Sequence, residues 1–270
     1  AGMMAMDPHN GHIKAWVGGH DFNHFQYDHV RRTSRRQIGS TIKPFVYTLA
    51  LRSGLTPCSE IPNIKQIFHL PDGKTWSPGN SDGKYGNTVT LRFGLANSLN
   101  PVTAYLYKQI DPQALIEIMR QAGVSSPMEP VPALCLGVAD VSVYEMVGAY
   151  STFANKGRYT EPIYITRIED KDGRIIKDFR PKIRTVVDEE TAYTMLDMMK
   201  GVVGYVRDEN GEKKYGTGIR IRINTKNRPY AGIKYPMAAK TGTTQNNSDG
   251  WFMGITPDLV VGSWVGAEDR

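Results

Sequence analysis

Ser40 and Lys43 form a Ser-x-x-Lys motif at the point where the sequence begins to look helical. A spacing of three residues puts two side chains on one helical face, with Cβ atoms about 5–6 Å apart. A serine hydroxyl is a poor nucleophile until a neighbouring base takes its proton, and a neutral lysine amine can do so. The free N–H groups of a helix start would also favour an oxyanion. The pair is therefore suited to acyl transfer, although alone the motif is more often a helix cap followed by a surface lysine.

A second short polar motif, Ser-x-Asn, is formed by Ser98 and Asn100. It follows a helical run and precedes Pro101, and the residue before a proline is disfavoured in a helix. We therefore expect both side chains at a helix end or in a loop. Alone, the motif is equally compatible with a pair of helix caps.

The third motif, Lys240-Thr241-Gly242-Thr243, lies in a β-like run near the end of the chain. On a strand, Lys240 and Gly242 share one face, while Thr241 and Thr243 share the other. A glycine inside a strand weakens it and often marks a place where a ligand approaches the backbone. Without the other motifs, the stretch would be interpreted as a strand that ends in a polar turn.

Strand patterns occur at both ends of the chain, and helical patterns fill its middle. The runs 3–6 and 12–17 flank a Pro-, Asn- and Gly-containing turn, which predicts a β-hairpin, and residues 161–180 predict another. Further strands are predicted at 236–243, 250–256 and 259–266, and helices at 40–54, 91–98, 101–110, 112–122, 142–155 and 188–203. This order predicts an α/β fold of the α+β type, with a mostly antiparallel sheet built from both chain ends and helices packed on it.

Three stretches lack a clear hydrophobic periodicity. Residues 18–38 are polar and predict an irregular connection, and residues 56–90 are rich in Pro, Gly, Asn and Asp and predict loops. Residues 205–232 carry glycines and basic residues, which predicts a mobile excursion. The chain also starts and stops within strand-like sequence, so we expect a domain excised from a longer protein.

The composition is that of a globular domain. The 270 residues are 40% hydrophobic and 22% charged, which excludes a disordered chain, and no run approaches the roughly 18 apolar residues of a membrane span. The net charge is +6, but the basic residues are scattered. A nucleic-acid binder would show a basic stripe with interleaved aromatics, so we expect no nucleic-acid partner.

Histidines and cysteines give no indication of a metal site. Five of the six histidines lie at positions 9, 12, 20, 24 and 29, with no cysteine among them. A zinc site needs about four convergent ligands, so the sequence predicts neither a metal nor a cofactor. Cys135 lies in an apolar run and is typical of a small core residue. Whether it pairs with Cys58 is left open.

In this order, the motifs Ser-x-x-Lys, Ser-x-Asn and Lys-Thr-Gly resemble the signature of β-lactamases and penicillin-binding proteins. Over essentially its whole length the sequence resembles the transpeptidase domain of class A penicillin-binding proteins. The matching stretches are 7–11, 15–19, 36–45, 76–80, 89–100, 136–137, 149–155, 240–244 and 249–257. The departures are small: Ile38 stands where such proteins often have proline, and Gly250 where alanine is common.

This resemblance implies a sheet sandwiched by helices in a single transpeptidase domain over residues 1–270, with a helical subdomain at roughly 56–155. It implies D,D-transpeptidase or carboxypeptidase activity on peptidoglycan stem peptides, an amine on a neighbouring stem as acceptor, and acylation by β-lactams. It also implies a parent protein with a membrane anchor and an upstream glycosyltransferase domain, at the extracytoplasmic (periplasmic) face of the bacterial inner membrane.

The resemblance also implies a role for each motif residue. Ser40 would be the nucleophile, Lys43 its base, Ser98 a proton relay and Asn100 the group that holds the donor's amide. The terminal carboxylate would bind Lys240, Thr241 and Thr243, an extended substrate would pair with the strand edge at Gly242, and the N–H groups of Ser40 and Thr243 would form the oxyanion hole. As a base Lys43 must be neutral, and burial together with the nearby Lys240 would lower its pKa.

Two other functions use the same motifs. A serine β-lactamase would share the nucleophile but hydrolyse its acyl-enzyme quickly, which needs a carboxylate to activate water, and no such motif is evident. A non-catalytic β-lactam-sensing module would be acylated and would only report the event.

Overall fold

A computed structural model describes residues 1–21, 23, 26–80, 83, 85–223, 232–244 and 247–267. The helices in these ranges are α1 (Lys43–Arg52), α2 (Leu91–Ala96), α3 (Asn100–Tyr107), α4 (Pro112–Gln121), α5 (Val143–Ala154) and α6 (Glu189–Lys200). Short 3-10 turns lie at Gly39–Ile42, Pro132–Leu136, Gly201–Val203 and Ile219–Ile221.

The strands are short except for those of the main sheet. They are β1 (Gly2–Met6), β2 (Ile13–Val17), β3 (Arg35–Gln37), β4 (Glu60–Pro62), β5 (Phe68–His69), β6 (Thr75–Trp76), β7 (Thr88–Thr90), β8 (Asp140–Ser142), β9 (Arg158–Thr160), β10 (Arg167–Glu169), β11 (Ile175–Asp178), β12 (Ile183–Thr185), β13 (Tyr205–Arg207), β14 (Lys213–Tyr215), β15 (Ala238–Thr243), β16 (Asp249–Thr256) and β17 (Leu259–Gly266).

A five-stranded antiparallel sheet joins the two ends of the chain, in the order β15-β16-β17-β1-β2. β1 lies between β17 and β2, with Met3 opposite Ser263 on one side and Val17 on the other. Alternate residues of β1, β16 and β17 point into the core, among them Met4, Met253 and Trp264. The predicted sheet and the predicted N-terminal hairpin are therefore confirmed.

Helix α5 runs through the centre of the fold and is buried on almost every side. It packs against the inner face of the sheet so closely that a Cβ on Gly262 would lie 2.6 Å from Cγ2 of Val147. A helix that is apolar all round belongs in a core. Its start is fixed by a capping box in which Ser142 and Glu145 satisfy each other's backbone N–H groups.

The helix boundaries follow from local chemistry. The side chain of Asp111 caps α4, whose first residue is Pro112, and the side chain of Asp188 caps α6. All the predicted helices are present within a few residues of their expected ends. The single-domain boundary and the helical subdomain at 56–155 stay predictions.

Two of the irregular stretches contain more structure than expected. Within residues 18–38, β3 pairs with β8, and within residues 56–90, β4 pairs with β7 and β5 with β6. In the third stretch β13 and β14 form a hairpin, which was not predicted, and residues 224–231 lie outside the described ranges. The mobility expected of residues 205–232 stays a prediction. The new strands have two or three residues each, which is too short for a period to show in the sequence.

The two cysteines are free: Cys135 is buried and Cys58 exposed. Among the described residues no three histidine, cysteine or acidic side chains come together as metal ligands, and His24 lies outside those residues. None of the helices in the described part of the chain has the length and apolar character needed to cross a bilayer.

Candidate active site

Ser40 lies on the 3-10 turn Gly39–Ile42, directly before α1. Gly39 has a φ of +51°, in the left-handed region where glycine is the usual residue. Pro44 follows in the first turn of α1, where its missing N–H leaves no hydrogen bond unmade. The serine side chain is half-buried and faces a cleft, so the turn presents a hydroxyl to solvent on a fixed backbone.

Lys43, one turn further on, is completely buried. Its Nζ donates to the carbonyl oxygen of Ser98 (2.6 Å), to Oδ1 of Asn100 (2.7 Å) and to Oγ of Ser98 (3.2 Å). Burial lowers the pKa of Lys43 to about 7, and the neighbouring thiol of Cys135 acts in the opposite direction. A substantial fraction of the amine is therefore neutral near neutral pH.

Ser98 occupies the left-handed region, with a φ of +55°. The N–H of Leu99 donates to the carbonyl of Gly94 and that of Ser98 to the carbonyl of Leu95, which is a Schellman motif at the end of α2. Glycine usually takes this position. A serine here carries its hydroxyl to a point where Lys240 Nζ, at 2.9 Å, and Lys43 Nζ both reach it.

The amide of Asn100 is oriented by two polar contacts. Its Nδ2 donates to the carbonyl of Gly79 (2.8 Å), which turns Oδ1 toward Lys43. Its backbone N–H donates to Oδ1 of Asn80 (3.1 Å), and Asn80 in turn donates to Asn63. The loop before α2 therefore fixes the start of α3.

Strand β15 carries the third motif along the other wall of the cleft. Lys240 is completely buried and also donates to the carbonyl of Thr241 (2.8 Å). Burial first, and the charge of Lys43 second, hold the pKa of Lys240 well below its ordinary value. The faces alternate as predicted, with Lys240 and Gly242 buried and Thr241 and Thr243 open to the cleft.

Gly242 permits close packing within the protein, while its marking the approach of a ligand stays a prediction. A Cβ on Gly242 would lie 2.8 Å from Cγ2 of Thr41 and 2.9 Å from the carbonyl oxygen of Ile38. The absent side chain therefore lets β15 lie directly against the turn that bears Ser40. A larger residue would move the two walls of the cleft apart.

The cleft has a volume of about 660 Å³ and contains most of the predicted site residues. Its described lining is formed by Ser40, Asn97, Ser98, Asn100, Thr217, Thr241, Gly242, Thr243, Asn247, Gly250, Trp251, Phe252, Ser263 and Val265. The two lysines lie beneath this surface, joined through the hydroxyl of Ser98. No carboxylate is found among these lining residues.

Two residues of the site, Thr217 and Asn80, belong to none of the three predicted motifs. Thr217 lies in the cleft with its Oγ1 2.7 Å from Oγ1 of Thr241, and Asn80 orients Asn100. Thr217 stands between two glycines, and this is the signal that could have singled it out. Nothing local distinguishes Asn80, because its partner is 20 residues away.

An antiparallel sheet packed against helices, with a Ser-x-x-Lys turn facing a Lys-Thr-Gly strand, defines the penicillin-binding protein and β-lactamase class. A sequence model of the penicillin-binding protein transpeptidase domain matches residues 1–265, and the chain belongs to this family.

Relatives agree with this assignment. Penicillin-binding protein 2D of Bacillus subtilis is 34% identical over 267 residues, which is 98% of this chain and 37% of the relative. Penicillin-binding protein 1A of Aquifex aeolicus is 32% identical over 266 residues, 98% of this chain and 34% of the relative. The chain thus spans about a third of the length of these relatives, and the resemblance to class A penicillin-binding proteins is confirmed.

Solved structures show the same fold. The crystal structure of penicillin-binding protein 1A from Haemophilus influenzae superposes with a TM-score of 0.85 at 27% identity, covering 99% of this chain and 43% of that one. The penicillin-binding protein PonA1 from Mycobacterium tuberculosis gives 0.80 at 25% identity, covering 100% and 70%. The predicted fold class is therefore confirmed.

Proposed function

We propose that this domain crosslinks peptidoglycan stem peptides as a D,D-transpeptidase, through an acyl-serine intermediate, and that β-lactams acylate the same serine. The observation that carries the proposal is the convergence of two buried lysines on Ser98 Oγ, at 3.2 Å for Lys43 and 2.9 Å for Lys240, beside a cleft lined by Ser40. Membership of the transpeptidase family supports the same reaction class.

In the acylation step, Ser40 Oγ attacks the carbonyl carbon of the penultimate D-alanine. In its neutral form Lys43 has two N–H bonds, which the two shorter contacts, to the carbonyl of Ser98 and to Asn100, use. The longer contact to Ser98 Oγ is then no longer donated, and the lone pair of the amine takes the hydroxyl proton. The N–H groups of Ser40 and Thr243 stabilise the oxyanion. The C–N bond then breaks, and the amine of the departing D-alanine receives a proton through Ser98.

In the second step, an amine of a neighbouring stem attacks the ester carbonyl. The acceptor amine gives up its proton to the base, Lys43. The C–Oγ bond breaks, and Ser40 regains its hydroxyl proton. Water in place of the amine gives the carboxypeptidase reaction. No carboxylate lies among the described lining residues to activate that water, which supports slow hydrolysis and a long-lived acyl-enzyme.

The donor is held by the other wall of the cleft. Thr241, Thr243 and the charge of Lys240 bind its terminal carboxylate, and the exposed edge of β15 pairs with its extended backbone at Gly242. Asn100 holds the amide of the scissile region. A bound carboxylate stabilises the protonated form of Lys240, so that Lys43 remains the neutral member of the pair.

The parent protein, in this proposal, is anchored in the inner membrane of a bacterium, with a glycosyltransferase domain upstream and this domain on the extracytoplasmic, periplasmic side. The names of the relatives and their greater length support it. The proposed partners are stem peptides that end in D-Ala–D-Ala, amine acceptors and β-lactams.

Mass spectrometry after brief exposure to benzylpenicillin tests the function. Ring opening leaves no separate product, so the adduct has the full mass of the drug and is expected on the peptide that contains Ser40. Ser40→Ala should show no adduct, and Lys43→Ala should acylate about 10²–10⁴-fold more slowly. An adduct elsewhere, or normal acylation of Lys43→Ala, would contradict the assigned roles.

The lifetime of the adduct and a crosslinking assay distinguish the remaining functions. A stable adduct together with crosslinking of a polymeric stem-peptide donor is the expected result. Rapid loss of the adduct would indicate a β-lactamase. A stable adduct without any crosslinking or D-alanine release, in the presence of donor and acceptor, would indicate a sensing module.

A further inference from the structure

The turn that bears Ser40 is held from both sides by a single segment of the chain that none of the three motifs includes. This segment runs from Gly137, through β8, to Tyr150 in α5. We propose that Gly137 and Tyr150 are positioning residues, which fix Ser40 through contacts to the residues before and after it. The proposal depends on the proposed role of Ser40 as the nucleophile.

On the near side, Gly137 and Gly39 are packed backbone to backbone. The N–H of Gly39 donates to the carbonyl of Gly137 (2.9 Å), and a Cβ on Gly137 would lie only 2.0 Å from the carbonyl oxygen of Gly39. Gly137 also has a φ of +77°. The contact can therefore form only because residue 137 has no side chain.

The same contact reaches the other wall of the cleft. A Cβ on Gly39 would lie 2.8 Å from the carbonyl oxygen of Thr243, so Gly39 is enclosed between Gly137 and Thr243. The N–H groups assigned to the oxyanion hole, those of Ser40 and Thr243, belong to this stack of three backbones. A shift at Gly137 would therefore change the distance between those two donors.

On the far side, Tyr150 holds the residue after the nucleophile. Its Oη donates to the carbonyl of Thr41 (2.7 Å), and Oγ1 of Thr41 closes the turn by donating to the carbonyl of Ile38 (2.7 Å). The tyrosine is completely buried, with its ring edge-on to Phe45 and Phe153. Its position is therefore set by the core.

The segment between the two contacts is itself rigid. β8 pairs with β3 in the register Gln37 to Asp140, and the N–H of Ile38 donates to the carbonyl of Ala139 (3.2 Å). The capping box at the start of α5 anchors its other end. The turn that bears Ser40 is thus continuous with the paired strands β3 and β8 and contacts the central helix α5, and together they hold it in one geometry.

Two substitutions test the proposal, each with a matched control. Gly137→Ala introduces the clash, and its control Gly173→Ala puts the same methyl at a φ of +81° in open space. Tyr150→Phe removes only the hydroxyl, and its control Tyr144→Phe removes a similar bond, to the carbonyl of Pro162 at 2.9 Å, outside the cleft. Circular dichroism checks that each variant folds.

Acylation by a fluorescent penicillin is measured, with its binding and acylation steps resolved. We expect the acylation step to slow about 10²-fold in Gly137→Ala and roughly three- to tenfold in Tyr150→Phe, the size of one hydrogen bond. Drug binding should stay within about twofold, as should both controls. Folded variants that acylate at the wild-type rate would overturn the proposal. If Gly137→Ala does not fold, Tyr150→Phe decides.

Amide hydrogen exchange of the peptide around Ser40 is a second measurement, and it does not depend on acylation. We expect faster exchange at the nucleophile turn in both test variants and wild-type exchange in both controls. Unchanged exchange together with normal acylation would contradict the positioning role. A wild-type chain that binds no penicillin, with exchange altered as expected, would instead contradict the proposed function and leave the positioning role supported.

Discussion

Ser98 has a backbone conformation that is unfavourable for a residue with a Cβ, and its hydroxyl contacts two lysine amines. Its φ of +55° is a conformation that a side chain with a Cβ adopts at a cost of about 1 kcal/mol or more. The Schellman motif at the end of α2 would be satisfied equally well by glycine. The serine therefore has no local structural advantage, and its hydroxyl between two buried lysines explains its presence.

Two substitutions separate the strain at Ser98 from its chemistry. Ser98→Gly and Ser98→Ala both remove the hydroxyl, so both should slow acylation by roughly 10²-fold or more. Only glycine relieves the backbone, so we expect Ser98→Gly to be more stable than Ser98→Ala by about 1 kcal/mol. Urea unfolding measures the stability difference, and penicillin acylation measures the rate.

Lys156 provides the control, because it has a φ of +54° at the end of α5 and an exposed side chain. Glycine and alanine at 156 should differ in stability by a similar amount and should leave acylation unchanged. Equal stability of the two Ser98 variants would show that the turn imposes no strain. A normal acylation rate in either would remove Ser98 from the proton path.

Among the helices and strands, the sequence predicted those in which the hydrophobic periodicity continues over many residues or in which a clear capping residue precedes the helix. The helices opened by Asp111 and Asp188 are examples, as are the eight-residue strands β16 and β17. The pairing of β3 with β8 was not predictable, because it joins three residues to three others about 100 positions away. The three motifs were predicted from residue types, whereas Asn80, Thr217 and Tyr150 act through distant partners.

Glu145 anchors the start of α5. Its carboxylate accepts from the backbone N–H and the hydroxyl of Ser125, Ser126 and Ser142, at 2.7–3.2 Å. Burial alone would raise the pKa of Glu145, but these hydrogen bonds outweigh it and hold the pKa below its ordinary value. The side chain thus joins the loop after α4 to the strand β8 that leads into α5.

We expect Glu145→Gln to destabilise the fold by roughly 2–3 kcal/mol, since an amide NH₂ cannot accept and would face donors. For a domain of this size the melting temperature should fall by about 5–10 °C. Glu117→Gln on α4 is the control, because its carboxylate is exposed and accepts one bond from Gln121. Calorimetry of both variants measures the effect, and equal melting temperatures would show that the six bonds contribute no net stability.

In the molecule as a whole, strands from the two ends of the chain form one sheet, and β15 is an edge strand of that sheet. Lys43 arrives on α1 and Lys240 on β15, so the two amines meet only when the helices and the sheet are packed together. Burying them opposes folding, because desolvation disfavours each charge. The site therefore makes the stability of the whole fold depend on pH.

The direction of this dependence follows from the pKa of Lys43, which is about 7 in the folded protein and ordinarily 10.5. Between these values the unfolded chain binds a proton that the folded chain does not, so stability rises with pH above about 7. Lys43 alone contributes at most about 1.4 kcal/mol per pH unit to this gain. Above about pH 9 the buried Cys135 thiol, whose pKa is raised from 9.0 to about 12, opposes this gain, because the unfolded chain then loses a proton that the folded chain keeps.

Urea unfolding of the wild type and of Lys43→Met between about pH 7 and pH 8.5 isolates this contribution. Groups other than the lysine pair titrate alike in both proteins, so their effects cancel in the difference. We expect the stability of the wild type to increase relative to Lys43→Met over this window, because the wild type releases the proton of Lys43 in addition to that of Lys240 when it folds. Parallel curves would mean that Lys43 keeps its proton in the folded state, and an amine that stays protonated could not act as the base for Ser40.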